Sequence, residues 1–487
     1  MSKLFSKKGK LYKIVRFLSK IIGVLFGCVA ASLYVFIILS DILPTKYLIG
    51  IGVASIVIIG IIIFILFGKK TKLCVRVIFS ILSLLGIFAM IWALLSILNT
   101  LNFFDKVVAK NYKTEKYYVV VRKDSIYNEI SDLNGIPIYF YNNNSKAIDE
   151  VITNINEKIT TTITKSNELL IITDDLLEKR NEAIIIESSL VDILNEENEE
   201  FKNNTKTIYT VSVRVEVDKL IKEVGITTEP FNLYISGIDT YGSITKASRS
   251  DVNIVATINP KTKQILLTSI PRDYYVRLHG TRGYKDKLTH AGIYGINMSL
   301  KTVEDLLDID INYYAKINFS SVIKAIEVLG GIDVYSKYAF KTCGFTYSVG
   351  TEHMNGYKAL AFARERHKVP GGDRTRGENQ EAVIEAIIKK ASNPSTLTKY
   401  NLLLSKLNDS FETNMSSKNI KKLAKMQLND MASWNVVSAN LNGTDSHNYT
   451  YSLGKQMLYV MEPKQASIDN AKAMIEKVKN GEIISAQ

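Results

Sequence analysis

Cysteine is scarce in this 487-residue chain. Its three cysteines are Cys28, Cys74 and Cys343. The first two lie in or beside long apolar runs, and the third has no other cysteine near it in the sequence. A disulfide framework is therefore not expected. A chain of this length can instead bury a core large enough to be stable without cross-links.

Signatures of several enzyme classes are missing too. His290, His353 and His367 are scattered and stand apart from the cysteines, so no spacing suits a zinc site. Neither a G-x-S-x-G nucleophile elbow nor a Walker-type phosphate loop occurs. Any chemistry must therefore come from other residue types.

Acidic residues are nearly absent from the first 76 residues. That segment holds twelve Lys/Arg residues and one acid, Asp41, so eleven of the thirteen excess positive charges lie there. A nucleic-acid footprint would lie on a folded domain instead. The excess is typical of a membrane-topology signal, and no nucleic-acid partner is expected.

Three long runs carry no charge, at 21–40, 47–68 and 77–104. Each can cross a hydrocarbon core of about 30 Å at about 1.5 Å per residue, which predicts three transmembrane helices within 21–104. Three buried helices of a soluble protein are the alternative. Basic residues are dense before the first span and in the second loop, and sparse in the first loop. This asymmetry predicts a cytoplasmic segment at 1–20 and an extracytoplasmic body after residue 104.

The body divides by charge into an acidic and a basic part. Residues 105–225 have a net charge of −6 and residues 226–487 a net charge of +8. The acidic part predicts a small α/β accessory domain, including a strand at 169–173 and a helix at 174–182. It has no catalytic motif, so it is interpreted as a docking or regulatory module or as a spacer.

The basic part alternates strands with helices. Strands are predicted at 231–239, 248–259, 264–273 and 330–336, with helical stretches between them. This order indicates an α/β fold with a mixed, largely buried central sheet flanked by helices. Ligands of such sheets usually bind where strands end.

Charged residues occur where these predicted strands begin or end. Asp239 closes the first, Arg249 and Asp251 precede the core of the second, and Arg272 and Asp273 end the third. Two residues that are two apart share a face of an extended backbone, as Arg249 and Asp251 would. Such pairs are often surface ion pairs of little consequence.

Further polar residues follow in two later motifs. Lys287 lies in "KLTHAG", and Arg364, Arg366, Arg376 and Gln380 lie within "ARERHKVPGGDRTRGENQ". Arginine presents a planar fork that suits phosphate. Several arginines with two carboxylates would suit a diphosphate and a divalent cation such as Mg²⁺. From spacing alone, a phosphate site and a set of ion pairs both stay open.

The motifs "SGID", "SRSD", "SIPRD", "KLTHA", "ARERH" and "GGDRTRGENQ", in this order, resemble the LytR–CpsA–Psr family of cell-envelope proteins over roughly 228–480. The three-span anchor and accessory domain resemble the streptococcal capsule-associated members. The resemblance implies an enzyme that transfers a glycopolymer, such as capsular polysaccharide, from a polyprenyl-pyrophosphate lipid to peptidoglycan. Its implied setting is the outer face of the membrane in a Gram-positive-type envelope, with membrane lipid and capsule-assembly proteins as further partners.

The resemblance also implies residue roles. Asp239 and Asp251 would hold Mg²⁺, and Asp239 is the candidate general base. The catalytic set is Asp239, Arg249, Asp251 and Arg272. Pyrophosphate would be bound by Arg249, Arg272, Lys287, Arg364, Arg366, Arg376 and Gln380. Asn379 stands where many members have arginine, so one charge is absent.

Three further interpretations come with the resemblance. Apolar residues of 297–309 and 319–329 either line a tunnel for the polyprenyl tail or form ordinary core. A non-catalytic sensor or transcriptional attenuator of lipid-linked glycan is one alternative function. A polyprenyl-pyrophosphate pyrophosphatase, with water as the acceptor, is the other. Direct DNA regulation is disfavoured because the basic domain is predicted to lie outside the membrane.

Overall fold

The computed structural model describes residues 2–108, 112–142, 146–216, 220–238, 244, 248–393, 406–407, 410–454 and 456–485. The chain forms two compact units. The first, called the anchor unit, contains residues 1–106, 392–405 and 416–433. The second contains residues 107–391, 406–415 and 434–487.

Three long helices make up most of the anchor unit: α1 (Ser2–Ser40), α2 (Thr45–Phe67) and α3 (Leu73–Val107). The part of α1 from Tyr12 to Ser40 and the whole of α2 and α3 are each long and apolar enough to cross a membrane, with mean hydropathies of 2.6, 3.1 and 2.6. Large apolar side chains on them are exposed, as expected of a surface in lipid rather than in water. The prediction of three membrane-spanning helices is confirmed by length and composition.

The second unit begins with a small α/β domain. Its elements are β1 (Tyr112–Arg122), β2 (Ile138–Tyr141), α4 (Ile148–Asn156), β3 (Ile163–Ser166), α5 (Leu169–Leu177), β4 (Ala183–Glu187), α6 (Ser188–Glu197), α7 (Glu199–Asn204) and β5 (Thr205–Glu216). The strands form one sheet in the order β3-β2-β4-β1-β5. β1 is antiparallel to β4 and β5, whereas β2 is parallel to β3 and β4. The predicted α/β character of this segment is confirmed.

One predicted strand of this domain is wrong. Residues 169–173 form the first part of α5, not a strand, and α5 ends at Leu177 instead of continuing to 182. Leu169, Ile172 and Leu176 recur at helical spacing and are buried in one cluster with the sheet. A short apolar run fits either structure, and here its burial on one helical face decided the outcome.

The chain then forms a larger domain. All of its elements belong to the second unit except the helix Ser417–Asp430. Its first elements are β6 (Phe231–Ile238), β7 (Ser250–Asn259), β8 (Gln264–Ser269), β9 (Tyr275–Arg277), β10 (Lys285–Lys287), α8 (Leu288–Ala291), α9 (Ile296–Leu307), β11 (Tyr313–Asn318) and α10 (Phe319–Leu329). There follow β12 (Ile332–Ser336), β13 (Phe340–Thr342), β14 (Phe345–Tyr347), β15 (Gly350–Met354), α11 (Gly356–Arg364), α12 (Asp373–Ala391), β16 (Phe411–Thr413), α13 (Ser417–Asp430), β17 (Asn435–Asn440), β18 (Gly443–Tyr449), β19 (Met457–Pro463) and α14 (Gln465–Lys479). Helix α13 belongs to the anchor unit, although its neighbours in the chain do not.

The central sheet of this domain is six-stranded and mixed, in the order β16-β11-β6-β7-β8-β17. β7 is antiparallel to β6 and β8, β11 is parallel to β6, and β17 is parallel to β8. The carboxyl ends of β6, β8, β11 and β17 therefore meet the start of β7 at one edge. We call this the carboxyl edge of the sheet.

Helices cover both faces of the central sheet. Val255 of β7 is buried with residues of α9 and α14. The preceding residue, Ile254, is buried against Ile384 and Ile388 of α12 on the opposite face. Successive strand residues point to opposite faces, so the sheet is packed between two helical layers. The predicted α/β fold with a mixed central sheet is confirmed.

The strand predicted at 330–336 exists as β12, but it lies outside the central sheet. It pairs with β15 in a separate two-stranded sheet. Gly330 and Gly331 adopt positive φ values of 79° and 87° directly after α10. This left-handed turn, which glycine adopts without strain, leads the chain into the separate sheet.

Candidate functional site

A pocket of about 210 Å³ opens at the carboxyl edge of the central sheet. Among the described residues, five arginines line it together with one acid and two amides: Arg249, Arg272, Arg364, Arg366, Arg376, Asp251, Asn318 and Gln380. The rest of the lining is mostly apolar: Ile238, Val252, Ile317, Phe319, Val322, Leu360, Val383 and Ile384. We call this cavity the arginine pocket. The arginines of this lining suit an anion, and its apolar side chains suit an apolar chain.

A β-bulge aims Asp251 into the arginine pocket. Gly237 of β6 lies opposite Val252, and Ile238 lies opposite Ser250, so Asp251 is the extra residue on β7. Bulges re-aim side chains next to functional sites. Arg249 and Asp251 therefore both line the pocket, as expected, but at a bulge and not in a regular strand. Val252 lines the pocket beside them.

Asp251 pairs with Arg272 across the carboxyl edge. Arg272 Nη1 lies 2.9 Å from Asp251 Oδ1, and their side chains are only 14% and 13% exposed. The hydroxyl of Thr289 donates to the same carboxylate oxygen at 3.0 Å. Two donors thus fix Asp251, and Asp251 in turn directs the guanidinium of Arg272 along the pocket wall.

Lys287 does not line the arginine pocket with the residues predicted to accompany it. Its ammonium nitrogen lies 3.6 Å from Asp273 Oδ1, and Asp273 Oδ2 lies 3.5 Å from Arg272 Nε. Both Lys287 and Asp273 are buried. The structure therefore places Lys287 behind Arg272, where it acts on the pocket through Asp273.

The end of helix α11 supplies two more arginines. Arg364 is its last residue, and Arg366 follows in the turn. Between them, Glu365 is buried and accepts hydrogen bonds from the backbone N–H groups of His367 and Lys368 at 2.7 and 2.9 Å. The guanidinium of Arg364 stacks 4.4 Å above the centre of the Phe319 ring. This cation–π contact joins the charged and apolar parts of the pocket.

The first turns of α12 supply Arg376 and Gln380. The residue between them that departs from the family pattern, Asn379, is buried and donates from Nδ2 to the carbonyl oxygen of Phe362 at 3.2 Å. Its role is to fasten α12 to α11. Asn379 is not among the residues that line the arginine pocket.

Sequence reasoning missed Glu381, the residue after Gln380. Glu381 is 2% exposed and accepts a hydrogen bond from Asn440 Nδ2 at 2.9 Å, at the end of β17. Burial raises its pKa well above the ordinary value, against the opposing effect of the hydrogen bond from Asn440. It ties the helix that carries Arg376 and Gln380 to the carboxyl edge. A single Glu in a helical pattern gives no signal for this role.

A buried hydroxyl network supports the start of β7. The Tyr234 hydroxyl donates to Asn253 Oδ1 at 2.6 Å, and the hydroxyl oxygens of Ser236 and Ser250 lie 2.7 Å apart. Burial raises the pKa of Tyr234 to about 12, although hydrogen bonds with Ser250, Ser299 and Ser236 act in the opposite direction. Tyr234 therefore stays a neutral donor that holds the strand under Asp251.

The residues only partly fit a metal site on their own. Asp239 lies outside the described residues, so its predicted roles as metal ligand and general base stay predictions. Within the described part of the chain, no group of three His, Cys, Asp or Glu side chains could hold a metal ion. Asp251 does line the pocket, and Mg²⁺ commonly takes one or two carboxylates with phosphate oxygens and water. Asp251 is therefore a suitable single ligand beside a bound diphosphate.

The two segments proposed for a tail tunnel have different positions. Phe319 and Val322 of the second segment line the arginine pocket. In contrast, Leu300, Val303 and Leu307 of the first segment are buried in the core between α9 and the sheet. The alternative of ordinary core thus describes these three residues of 297–309.

Comparison with known proteins identifies relatives of this chain. The family described as LytR_cpsA_psr matches residues 188–473. The chain is 37% identical over 199 residues to "Polyisoprenyl-teichoic acid--peptidoglycan teichoic acid transferase TagU" of Enterococcus faecalis (strain ATCC 700802 / V583), which covers 40% of this chain and 65% of that protein. It is 35% identical over 221 residues to the protein of the same name from Bacillus cereus (strain ATCC 14579), which covers 44% of this chain and 72% of that protein.

A solved structure is similar as well. The crystal structure of TagV from B. subtilis matches with a TM-score of 0.44 and 28% identity, covering 53% of this chain and 99% of that chain. The alignment with the Enterococcus faecalis relative spans just under two thirds of that protein. The family match, by contrast, extends over more than half of the present chain. This chain is a member of the LytR_cpsA_psr family.

Proposed function

We propose that this chain is a membrane-anchored phosphotransferase that moves a glycopolymer from a polyprenyl-pyrophosphate lipid to peptidoglycan. One observation carries the proposal: five arginines and Asp251 line the same pocket as a set of apolar side chains. The relatives that are named as transferases of teichoic acid to peptidoglycan support the same reaction class. The proposed polymer is a capsular polysaccharide or a similar glycan, and capsule-assembly proteins are proposed partners.

The two parts of the arginine pocket match the two parts of such a donor. A lipid pyrophosphate carries two negative charges next to a long apolar tail. Arg249, Arg272 and Arg376 offer planar donors that stay charged at any relevant pH. Val322, Leu360 and Val383 offer an apolar surface for the first units of the tail. An ordinary soluble sugar phosphate would leave these apolar side chains without a partner.

The proposed reaction is a single displacement at phosphorus. A hydroxyl oxygen of a peptidoglycan sugar bonds to the phosphorus next to the glycan, and the bond from that phosphorus to the bridging oxygen breaks. The bridging oxygen leaves with its electron pair as polyprenyl monophosphate, and the hydroxyl proton is released to a base. The arginines stabilise the charge that grows on the leaving phosphate.

Asp251 and, by prediction, Asp239 would hold Mg²⁺ in this reaction. Bound there, Mg²⁺ would supply positive charge to the phosphate oxygens. Asp251 is restrained by Arg272 and Thr289, so its carboxylate is already oriented. Asp239 is proposed as the base that takes the hydroxyl proton. The site is proposed to work at the outer face of the membrane, as the distribution of basic residues predicts.

The test uses the full chain in detergent with a polyprenyl-pyrophosphate glycan, a peptidoglycan acceptor and Mg²⁺. We expect a glycan–peptidoglycan phosphodiester and an equal amount of polyprenyl monophosphate, both measured by mass spectrometry. Free glycan phosphate without the linked product would instead identify a pyrophosphatase. Binding of the lipid without turnover would identify a sensor.

Variants connect the activity to the arginine pocket. Arg272→Ala should abolish transfer, whereas Arg277→Ala, at an exposed position of β9, should leave it unchanged. Transfer that survives Arg272→Ala would remove the pocket from the reaction. Protease added outside intact spheroplasts should digest the body after residue 104, and protection would reverse the proposed orientation.

A further inference from the structure

Helix α13 has the composition of a helix that lies on a membrane surface. It carries Lys418, Lys421, Lys422 and Lys425 against one acid, Asp430. Three of its four larger apolar residues, Ile420, Leu423 and Leu428, recur at three- to five-residue spacing on another side of the helix, and Met426 lies next to the lysine-rich face. A helix with a lysine-rich face, an apolar face and low overall hydrophobicity is typical of the lipid–water interface.

The beginning of α13 contacts the end of α3. The hydroxyl of Ser417 donates to Asp105 Oδ1 at 2.6 Å and lies 3.2 Å from the carbonyl oxygen of Phe104. Ser416 caps the helix by accepting from the backbone N–H of Asn419 at 3.2 Å. The first turn of α13 is thereby fixed where the third membrane-spanning helix ends.

The rest of α13 contacts the connection between α1 and α2. Lys425 Nζ lies 2.5 Å from Asp41 Oδ1, one residue after α1 ends. Lys46 Nζ, in the first turn of α2, donates to the carbonyl oxygen of Asn429 at 2.5 Å. Together with the contact to α3, these bonds place α13 across one end of the three-helix anchor, within a single compact unit.

This position defines the depth of α13 in a bilayer. The ends of apolar spanning helices mark the boundary between hydrocarbon and head groups. A helix fastened to the ends of all three spans therefore lies at the level of the head groups. Lys418 and Lys422 are exposed there and Lys421 is half-buried, and none of the three has an acidic partner among the described residues.

We propose that α13 binds the phosphate groups of anionic phospholipids through Lys418, Lys421 and Lys422. Charge complementarity selects this partner over a zwitterionic surface, because each lysine near an anionic bilayer strengthens binding about fivefold. Lys425 contributes to position instead, since Asp41 already neutralises it. The bound lipid is a component of the surrounding bilayer and is distinct from the substrate of the arginine pocket.

The test compares the full chain in nanodiscs of phosphatidylcholine alone and of phosphatidylcholine with phosphatidylglycerol. Hydrogen–deuterium exchange is measured for peptides that cover 417–430. We expect exchange to be at least about fivefold slower in the anionic discs at low salt, with the difference lost at high salt because the charges are screened. Equal exchange in both lipids at low salt would overturn the proposal.

A triple variant, Lys418→Gln, Lys421→Gln and Lys422→Gln, removes the proposed lipid ligands. Glutamine keeps a similar helix propensity, and the Lys425–Asp41 pair is untouched, so α13 should still form. The matched control replaces three exposed lysines of the small α/β domain, Lys116, Lys158 and Lys202, by glutamine. The lipid-dependent difference should disappear in the first triple variant and persist in the second. A difference that persists in the first would mean that other groups bind the lipid.

Discussion

Arg272 and Asp251 form a largely buried ion pair between the loop after β8 and the bulge of β7, with Nη1 and Oδ1 2.9 Å apart. The pair joins two antiparallel strands at the edge where the arginine pocket opens. It fixes one proposed phosphate ligand and one proposed metal ligand with respect to each other. Changing either residue should therefore affect the function assigned to the other.

Replacing Arg272 by lysine keeps the charge but removes the planar fork. A single ammonium group cannot reach both Asp251 and a phosphate in the geometry that a guanidinium provides. We expect kcat/KM for glycopolymer transfer to fall about 10- to 100-fold, the effect of losing a hydrogen bond to a charged group. Steady-state kinetics with the lipid-linked glycan measures this, and Arg277→Lys on β9 is the matched control. Similar losses in both variants would count against a specific role for Arg272.

Replacing Asp251 by asparagine should change the requirement for Mg²⁺. The amide keeps the size of the side chain but loses the charge that favours a divalent cation. We expect the Mg²⁺ concentration for half-maximal activity to rise at least about tenfold, as for other changes around metal ligands. The control is Asp305→Asn, at an exposed position of α9. An unchanged Mg²⁺ titration would exclude Asp251 as a ligand.

Gly292 should not tolerate even a methyl group. A Cβ at this position would lie 2.6 Å from the carbonyl oxygen of Ser248 and 2.7 Å from the backbone nitrogen of Ser250. Both neighbours are backbone, so Gly292→Ala must push the segment that carries Arg249. We expect a loss of stability of about 1–3 kcal/mol from overpacking, together with reduced transfer.

Thermal unfolding and kinetics together check the Gly292 prediction. Gly50→Ala is the matched control because nothing lies within 4 Å of its Cβ position. If Gly292→Ala retained full activity and wild-type stability, the close approach of Gly292 to the backbone of 248–250 would matter neither for stability nor for transfer.

Glu381 should make stability depend on pH. Burial raises the pKa of Glu381 in the folded protein. The unfolded chain releases this proton near the ordinary glutamate pKa of about 4.3, whereas the folded protein retains it to a higher pH. The stabilising contribution is therefore complete below that pH and is lost as pH rises through the higher pKa of the folded state. Glu381→Gln removes this dependence because the amide stays neutral.

The Glu381 prediction is checked by thermal unfolding near pH 4 and near pH 8. We expect the unfolding midpoints of the wild-type protein and of Glu381→Gln to agree near pH 4. Near pH 8 the midpoint of the variant should be higher by a few degrees, since each kcal/mol of unfolding free energy shifts the midpoint by about 2–4 °C. The control Glu476→Gln, at an exposed position of α14, should shift neither comparison. A pH-independent offset for Glu381→Gln would contradict the proposed proton retention.

The long-range pattern of the chain was predictable because it depends on composition and order. Charge-free runs predicted the spans of the anchor, and the alternation of strands with helices predicted the mixed sheet. Where burial on one face decided between two local structures, prediction was wrong. The run at 169–173 became part of α5 because Leu169, Ile172 and Leu176 are buried on one helical face.

The residues of the site were predictable in part, because their motifs also depend on the order of residues in the chain. Spacing and motif order singled out Arg249, Arg272, Arg364, Arg366 and Arg376, which all line the arginine pocket. Their roles in binding pyrophosphate stay predictions. The position of Lys287 behind Arg272, in contact with Asp273, was not predictable, because it depends on how β10 packs against the loop after β8.

The sequence alone determined which residues could carry charge into the site and which segments could enter a membrane. Those properties belong to single residues and to short runs, so they need no partner. The tertiary structure decided which charges share a pocket, that a bulge turns Asp251 toward Arg272, and that α13 lies with the spans rather than with the strands next to it in the chain. These outcomes depend on contacts between residues tens to hundreds of positions apart, and only packing brings such residues together.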